Sequence, residues 1–305
     1  MNVKENPLVS IVLITYNSAR YVLDTLESVK NQTWNNIELI VSDDGSTDET
    51  ISICSNWLNE NQDRFYNAKL LTVPQNTGIP ANCNRGLRAV TGQWIKTISG
   101  DDILLNNCIN DNMQFVEKFT DCCFLVSDVN EIDEDGKLIR EEVLNEGVVY
   151  ISRLNSAKKQ LKAYTRWPVF LNVPTFFCMA DVLEKVGYCD EDFKIYEDTT
   201  LVIRVLSLGY KMYYMKTPTV AYRIHRNSIS RSVEMNEKRE KEAFQVFKKY
   251  RSIHLNKFNL LDLSVYYESW LRFKYKGIFG LRGDFILRKF SLLYWYMKFN
   301  GMKTY

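Results

Sequence analysis

The sequence lacks several patterns that would assign a function directly. Its seven cysteines include no Cys-x-x-Cys pair, which predicts free thiols in a cytoplasm rather than a zinc site or a disulfide framework. Neither G-x-G-x-x-G nor G-x-x-x-x-G-K-[ST] occurs, so dinucleotide and P-loop binding have no support. Lysine and arginine total 39 against 37 acidic residues, and this balance gives no indication of nucleic-acid binding.

Long apolar runs are also absent. The run LVSIVLI at 8–14 is too short to span a membrane and lacks the basic flank of a signal peptide. The run FSLLYWYM at 290–297 is too short as well. We therefore expect a cytoplasmic protein, either soluble or peripheral on the inner face of a membrane.

What the chain does have is an alternation of buried-type strands and helical segments. Four short apolar runs are separated by segments with helical spacing of apolar residues. This order predicts a mostly parallel α/β sheet flanked by helices. The predicted strands are 8–14, 37–41, 69–73 and 93–99.

Polar residues stand where three of these strands end. In parallel sheets the carboxyl ends of the strands share one edge, which is where ligands bind. Two adjacent carboxylates, as in Asp43-Asp44, repel each other and are expected to need solvent or a ligand. Acidic residues at such an edge can hold a divalent cation that binds a diphosphate, whereas a solvated pair in a surface turn is the alternative.

Four motifs then identify a family. SIVLITYN, VSDDGSTDET, NTGIPANCNRGLRAVTGQWIKTISGDDIL and YEDTTLVIRVLSLGY follow one another in this order. The set resembles the inverting family 2 glycosyltransferases of the GT-A fold, a Rossmann-like fold. The resemblance implies a nucleotide-sugar donor, most often UDP-linked, and a divalent metal ion, Mn²⁺ or Mg²⁺.

The resemblance also implies roles for individual residues. Tyr16 would pack on the base, and Asp44, with Asp43 nearby, would accept a hydrogen bond from the uracil N–H. Asp101 would bind the metal with Asp102, and His225, in an H-x-x-S element, would be a further ligand. Two positions depart from the family pattern, namely Ser99, where an Asp is common, and Cys83, where a basic residue is common. The full implied nucleotide site is Thr15, Tyr16, Asn17, Asp43, Asp44, Ser99 and Gly100.

The implied catalytic pair is Glu197-Asp198. Asp198 would be the general base that takes the proton of the acceptor hydroxyl, and Glu197 would orient the acceptor. The alternative is that both acids merely favour the start of a helix. Trp167 and Phe176 are candidates for stacking on an acceptor sugar, with packing in the core as the alternative for both.

Beyond about residue 230 the composition becomes helical, basic and aromatic. We expect a catalytic domain at 1–230, with a nucleotide-sugar half at 1–103 and an acceptor and catalytic half at 104–230. A helical extension would occupy 231–305. Its part from 260 to 305 either contacts anionic lipid at the inner membrane or packs on the catalytic domain or in a homodimer.

The resulting expectation is a metal-dependent inverting hexosyl- or N-acetylhexosaminyltransferase. It would add a single sugar to a saccharide or to a saccharide on a lipid diphosphate, in bacterial O-antigen or capsule synthesis. The Q-x-x-R-W element of processive synthases does not follow the Glu-Asp pair. Two alternatives stay open, namely a catalytically silent sugar-nucleotide or carbohydrate-binding module and a sugar nucleotidyltransferase, although TYNSARY lacks the Gly-rich loop of the latter.

Overall fold

The fold is that of a computed structural model, which describes residues 6–143, 145–167, 169, 171–225, 235–271, 273–274 and 289–299. The chain divides into two compact units. The first, here called the sheet unit, consists of Met1–Leu144, Asn172–Lys194 and Tyr210–His225. The second, the helical unit, consists of Asn145–Leu171, Ile195–Gly209 and Arg226–Tyr305. The boundary expected at residue 230 stays a prediction, and most of 275–305 lies outside the described residues.

The sheet unit contains one mixed sheet of nine strands in its described residues. Strands β3, β2, β1 and β4 are parallel neighbours in that order, and β8 joins β4 to β6 in antiparallel pairing. Beyond β6 come β9, parallel to it, and β5, while β7 pairs with β6 as a side branch. The strands are β1 (Val9–Thr15), β2 (Ile37–Asp43), β3 (Asn67–Thr72), β4 (Trp94–Ser99), β5 (Ile103–Leu104), β6 (Phe124–Ile132), β7 (Leu138–Val143), β8 (Phe177–Met179) and β9 (Met212–Arg223).

Helices cover this sheet because its central strands are apolar on both faces. All seven residues of β2 are buried, and β1 is buried at six of seven positions, as expected for strands that need cover on both sides. The predicted α/β sheet flanked by helices is therefore confirmed. The helices of this unit are α1 (Val22–Lys30), α2 (Thr50–Asn61), α3 (Ile79–Leu87), α4 (Cys108–Lys118) and α7 (Ala180–Val186).

The helical unit has its own small core, formed by Phe247, Leu255, Val265 and Leu293. Two of its helices begin with side-chain caps, because Asn145 and Ser156 accept hydrogen bonds from Val148 N and Lys159 N. Its helices are α5 (Glu146–Ser152), α6 (Ala157–Arg166), α8 (Glu197–Ser207), α9 (Met235–Val246), α10 (260–271) and α11 (Leu292–Phe299). None of the helices within the described ranges is long and apolar enough to cross a membrane.

Candidate active site

The carboxyl ends of β1 and β2 are held together by hydrogen bonds of their last residues and of the loops that follow them. Thr15 Oγ1 donates to Asp43 Oδ2 at 2.8 Å, and Asp43 also accepts from Ser46 N and Ser46 Oγ. Asn17 N donates to Ser46 Oγ at 2.8 Å. The turn at Gly45 has φ +76°, and a Cβ there would lie 2.9 Å from the backbone of Gln75, so only glycine fits. The predicted meeting of these strand ends is therefore present.

Asp44 is stabilised by the protein itself. It is 2% exposed, and its carboxylate accepts hydrogen bonds from Thr77 N, Thr77 Oγ1 and Gly78 N. Arg85 adds an ion pair, with Nη2 3.2 Å from Asp44 Oδ1. The expectation that Asp43 and Asp44 need solvent or a ligand is wrong, because internal donors satisfy both carboxylates. A base N–H that approaches Asp44 would have to displace one of these donors or share the carboxylate oxygen that accepts from it.

Arg85 was not found by sequence reasoning. It stands two positions after Cys83, where a basic residue is common in the family, and a single arginine in a helix carries no local signal. Its guanidinium also donates to Asn82 Oδ1 at 2.8 Å and to Thr77 Oγ1 at 3.0 Å. It therefore connects α3 to the loop that follows β2.

Tyr16 is an exposed aromatic side chain at this edge. The residue is 46% exposed, so its ring is available to a flat ligand such as a nucleotide base. Ser99 is half-buried at the end of β4. Gly100 packs so closely on Thr15 that a Cβ would lie 2.9 Å from Thr15 Cγ2. Its role is therefore to let the ends of β4 and β1 approach each other.

Asp101 and His225 form the pair best suited to a metal ion. Asp101 Oδ2 lies 3.0 Å from His225 Nε2, and the Asp101 side chain is 33% exposed. Adjacent ligand atoms in an octahedral site lie at right angles around the ion. With bonds of about 2.1 Å from ion to ligand, two such atoms are about 3.0 Å apart. The described residues contain no cluster of three or more metal-ligating side chains. The pair therefore fits an ion that takes its remaining ligands from a diphosphate and water.

Asp102 points away from this pair. It is 1% exposed, and its carboxylate accepts a hydrogen bond from Arg223 N at 2.9 Å. Burial, together with the charge of neighbouring Asp101, raises the pKa of Asp102 well above its usual range. A buried carboxyl that is already bonded to the backbone favours a structural role over the metal-ligand role that the resemblance implies.

Arg223 holds the turn that contains both aspartates. It is 1% exposed, and its Nε donates to Asp101 O at 2.8 Å. Its Nη1 donates to Glu134 O at 3.0 Å, and its Nη2 forms an ion pair with Asp24 at 3.0 Å. The sequence gives no local signal that separates Arg223 from the other arginines of the chain. Its burial in the folded chain is what indicates a structural role.

Glu197 and Asp198 form the first turn of α8 in the helical unit. Asp198 is partly exposed, and desolvation of its carboxyl raises its pKa to about 6, although hydrogen bonds donated by Thr199 lower it. Tyr164 on α6 is fully buried beside this turn. Burial first, and then the charge of Asp198, raise the pKa of Tyr164. The pKa of Asp198 thus lies closer to neutral pH than that of an ordinary aspartate, which suits a general base.

The two acceptor candidates differ in exposure. Phe176, in the sheet unit, is 5% exposed and packs edge-on against Phe124, with ring centroids 5.1 Å apart. This packing favours the core alternative. Trp167, in the helical unit, is half-buried and lines a cavity together with Tyr150. Its ring therefore borders space that a ligand can occupy.

Solved structures of two proteins align with most of the chain. Residues 1-349 of TarS of S. aureus, in complex with UDP-GlcNAc, align with a TM-score of 0.64 and 18% identity, covering 92% of this chain and 76% of that fragment. The mannosyltransferase PcManGT from Pyrobaculum calidifontis, in complex with GDP-Man and Mn²⁺, aligns with a TM-score of 0.62 and 16% identity, covering 98% of this chain and 80% of that one. At these identities the likeness establishes the fold, which is the expected GT-A fold.

The family follows from the sequence comparisons. An uncharacterized glycosyltransferase of Haemophilus influenzae is 36% identical over 110 residues, which are 36% of this chain and 42% of the relative. The matched region therefore spans less than half of that protein. The profile of the family described as Glycosyl transferase family 2 matches residues 10–187, which is more than half of the chain. The expected family is confirmed, and the chain belongs to glycosyl transferase family 2.

Proposed function

We propose that this glycosyltransferase moves one sugar from a UDP-linked donor to a hydroxyl of a saccharide or a lipid-linked saccharide, with inversion at the anomeric carbon. The observation that carries the proposal is the Asp101–His225 pair. This pair lies at the carboxyl ends of the strands, as does the exposed ring of Tyr16. Support for the donor class comes from the two similar structures, which hold UDP-GlcNAc and GDP-Man with Mn²⁺. The sugar would be a hexose or an N-acetylhexosamine.

Each part of the reaction has a candidate residue in this chain. Tyr16 would stack on the base, while Thr15, Asn17 and Asp43 keep the surrounding loops in place. Asp101 and His225 would hold Mn²⁺ or Mg²⁺, which when bound supplies positive charge for the departing diphosphate. Asp198 would take the proton from the attacking hydroxyl, and Glu197 would orient the acceptor.

The test is release of UDP from a panel of UDP-sugars with Mn²⁺, with Mg²⁺ and with EDTA. We expect release from one donor in the presence of metal, and a loss of about 100-fold in Asp101→Asn, because the charge that neutralises the diphosphate depends on this carboxylate. The matched control is Asp181→Asn, which removes an exposed carboxylate that forms an ion pair with Lys185.

Three results would count against this proposal. Equal activity in EDTA would contradict metal dependence, and equal losses in both variants would contradict the assignment of Asp101. UDP binding without any release in the wild type, across donors and acceptors, would instead identify the silent binding module.

We also propose that the enzyme works at the cytoplasmic face of a bacterial membrane, in the assembly of a surface polysaccharide. In the described residues from 255 to 299, the only acids are Asp262 and Glu268, which are 0% and 5% exposed. Large apolar side chains are nevertheless exposed there, among them Phe258, Leu260, Trp270, Phe290, Trp295 and Phe299. A surface that exposes apolar side chains, and on which neither of these described acids is exposed, suits an anionic lipid surface.

Vesicle sedimentation tests this location. We expect binding to phosphatidylglycerol vesicles but not to phosphatidylcholine vesicles, and a decrease of about tenfold in affinity for Trp295→Ser, because an aromatic side chain no longer enters the interface. Tyr66→Ser is the control, since Tyr66 is 71% exposed but belongs to the sheet unit. A dimer in light scattering that Trp295→Ser dissociates, without any vesicle binding, would show that this surface is a homodimer contact instead.

A further inference from the structure

The helical unit contains a cavity that none of the family motifs uses. Its volume is about 170 Å³, which is slightly more than a cavity that holds a benzene ring. It lies between α5, α6 and α11, so its walls come from residues far apart in the chain. The lining residues are Tyr150, Leu154, Lys159, Lys162, Ala163, Arg166, Trp167, Leu293 and Tyr296.

One wall of the cavity is cationic. Lys159, Lys162 and Arg166 lie on one face of α6, since their spacing of three and four residues brings them into line along a helix. Lys162 and Arg166 share a single counter-charge, the buried Asp262, with Arg166 Nε 2.6 Å from Asp262 Oδ1. Lys159 has no acid among its described ion pairs and donates to Asn155 Oδ1 at 3.1 Å. Three cations and one carboxylate leave a net charge of about +2 at this wall.

Three aromatic residues also line the cavity. Tyr150 and Trp167 have ring centroids 6.3 Å apart, and the hydroxyl groups of Tyr150 and Tyr296 lie 3.3 Å from each other. Burial and the hydrogen bond with Tyr296 raise the pKa of Tyr150 to about 12. Its hydroxyl is therefore neutral at physiological pH and adds no negative charge to oppose an anion.

We infer that this cavity binds a phosphate ester. The phosphate would contact Lys159, Lys162 and Arg166, because guanidinium and ammonium groups bind phosphate oxygens by charge-assisted hydrogen bonds. The group esterified to it would lie against Trp167 and Tyr150, where a sugar ring or an alkyl chain buries apolar surface. Such an ester has two sources, a soluble sugar phosphate and a phosphate-linked lipid, and both present the same chemistry to this wall.

Calorimetric titration without any sugar nucleotide tests this inference independently of the proposed transferase function. The probes are glucose 1-phosphate, monododecyl phosphate below its micellar concentration, and the uncharged octyl glucoside. We expect at least one phosphate ester to bind, and its affinity to fall by about tenfold in Lys159→Glu, because the substitution reverses a charge beside the phosphate. Lys158→Glu makes the same charge change at the neighbouring exposed position, which does not line the cavity, and should leave binding unchanged.

A second variant tests whether the aromatic lining residues contribute to binding. Trp167→Leu should weaken binding of the esters and leave the far-ultraviolet circular dichroism of the protein unchanged. Preferential binding of glucose 1-phosphate would support the inference with a soluble source, and preferential binding of monododecyl phosphate would support it with a lipid source. The inference is overturned if neither ester binds, if octyl glucoside binds as tightly as the esters, or if Lys158→Glu weakens binding as much as Lys159→Glu.

Discussion

Asp198→Asn is expected to lower kcat for sugar transfer by about 1000-fold while leaving the affinity for UDP unchanged, because a positioned general base contributes on that order. The amide that replaces the carboxylate occupies the same volume in the first turn of α8 but accepts no proton. The measurement is steady-state transfer to acceptor, together with UDP titration of the same preparation. Asp192→Asn, at an exposed position shortly before the helix, is the control. Unchanged kcat in Asp198→Asn would contradict its assignment as the base.

The pH dependence of the wild type gives a second readout of the same group. Because desolvation of its carboxyl raises the pKa of Asp198 to about 6, kcat/KM should rise with pH through about 6 and level off above it, where the carboxyl is ionised. A profile with no change between pH 5 and pH 7 would contradict this, while residual activity of Asp198→Asn should lack the rise.

As the pH rises through about 6, the free energy of unfolding should fall while the activity rises, because both depend on ionisation of Asp198. The pKa of Asp198 is raised in the folded state from 3.8, so its contribution to stability is present below pH 3.8 and is lost as pH rises through about 6. At pH 7 the folded protein therefore holds a desolvated charge, and Asp198→Asn should increase the free energy of unfolding measured in urea. A decrease at pH 7 would show that the ionised carboxylate is stabilised by the fold, contrary to this argument.

Arg223→Leu is expected to lower the free energy of unfolding by about 2–5 kcal/mol, because each acceptor left without a donor in the protein interior costs about 1–3 kcal/mol. The Arg223 guanidinium donates to Asp101 O at 2.8 Å and to Glu134 O at 3.0 Å. The substitution removes both hydrogen bonds. Activity should be lost as well, because the turn that carries Asp101 is held by these bonds. Urea denaturation and the UDP-release assay measure the two effects.

The control for Arg223→Leu is Asp24→Asn, which removes only the exposed partner of the same arginine. The Asp24 side chain is 57% exposed, and exposed ion pairs contribute about 0–1 kcal/mol. A similar loss of stability in both variants would assign the effect to the ion pair and contradict a role of the backbone contacts. Arg223→Leu with normal stability and normal activity would contradict the positioning role altogether.

The amino-acid sequence by itself determined the architecture and the family. Burial on both faces makes strands such as β2 mostly apolar, and polar residues stand where such strands end, so both features are local and can be read in order. The ordered motifs also singled out Asp101 and His225, 124 residues apart, and the structure places them 3.0 Å from each other. Their role as metal ligands, like the other site assignments, stays a prediction.

Only the tertiary structure decided what surrounds these residues. That Asp44 is satisfied by Thr77, Gly78 and Arg85 depends on contacts 33 to 41 residues away in the chain. The burial of Asp102 against Arg223 depends on a contact over 121 residues, and the cavity needs α11 beside α6. Residue types and spacing reveal which side chains can accept or donate, but long-range packing decides which partners they meet and how much water they keep. That is why the sequence sufficed for the fold and the family, whereas the electrostatics of the site required the folded chain.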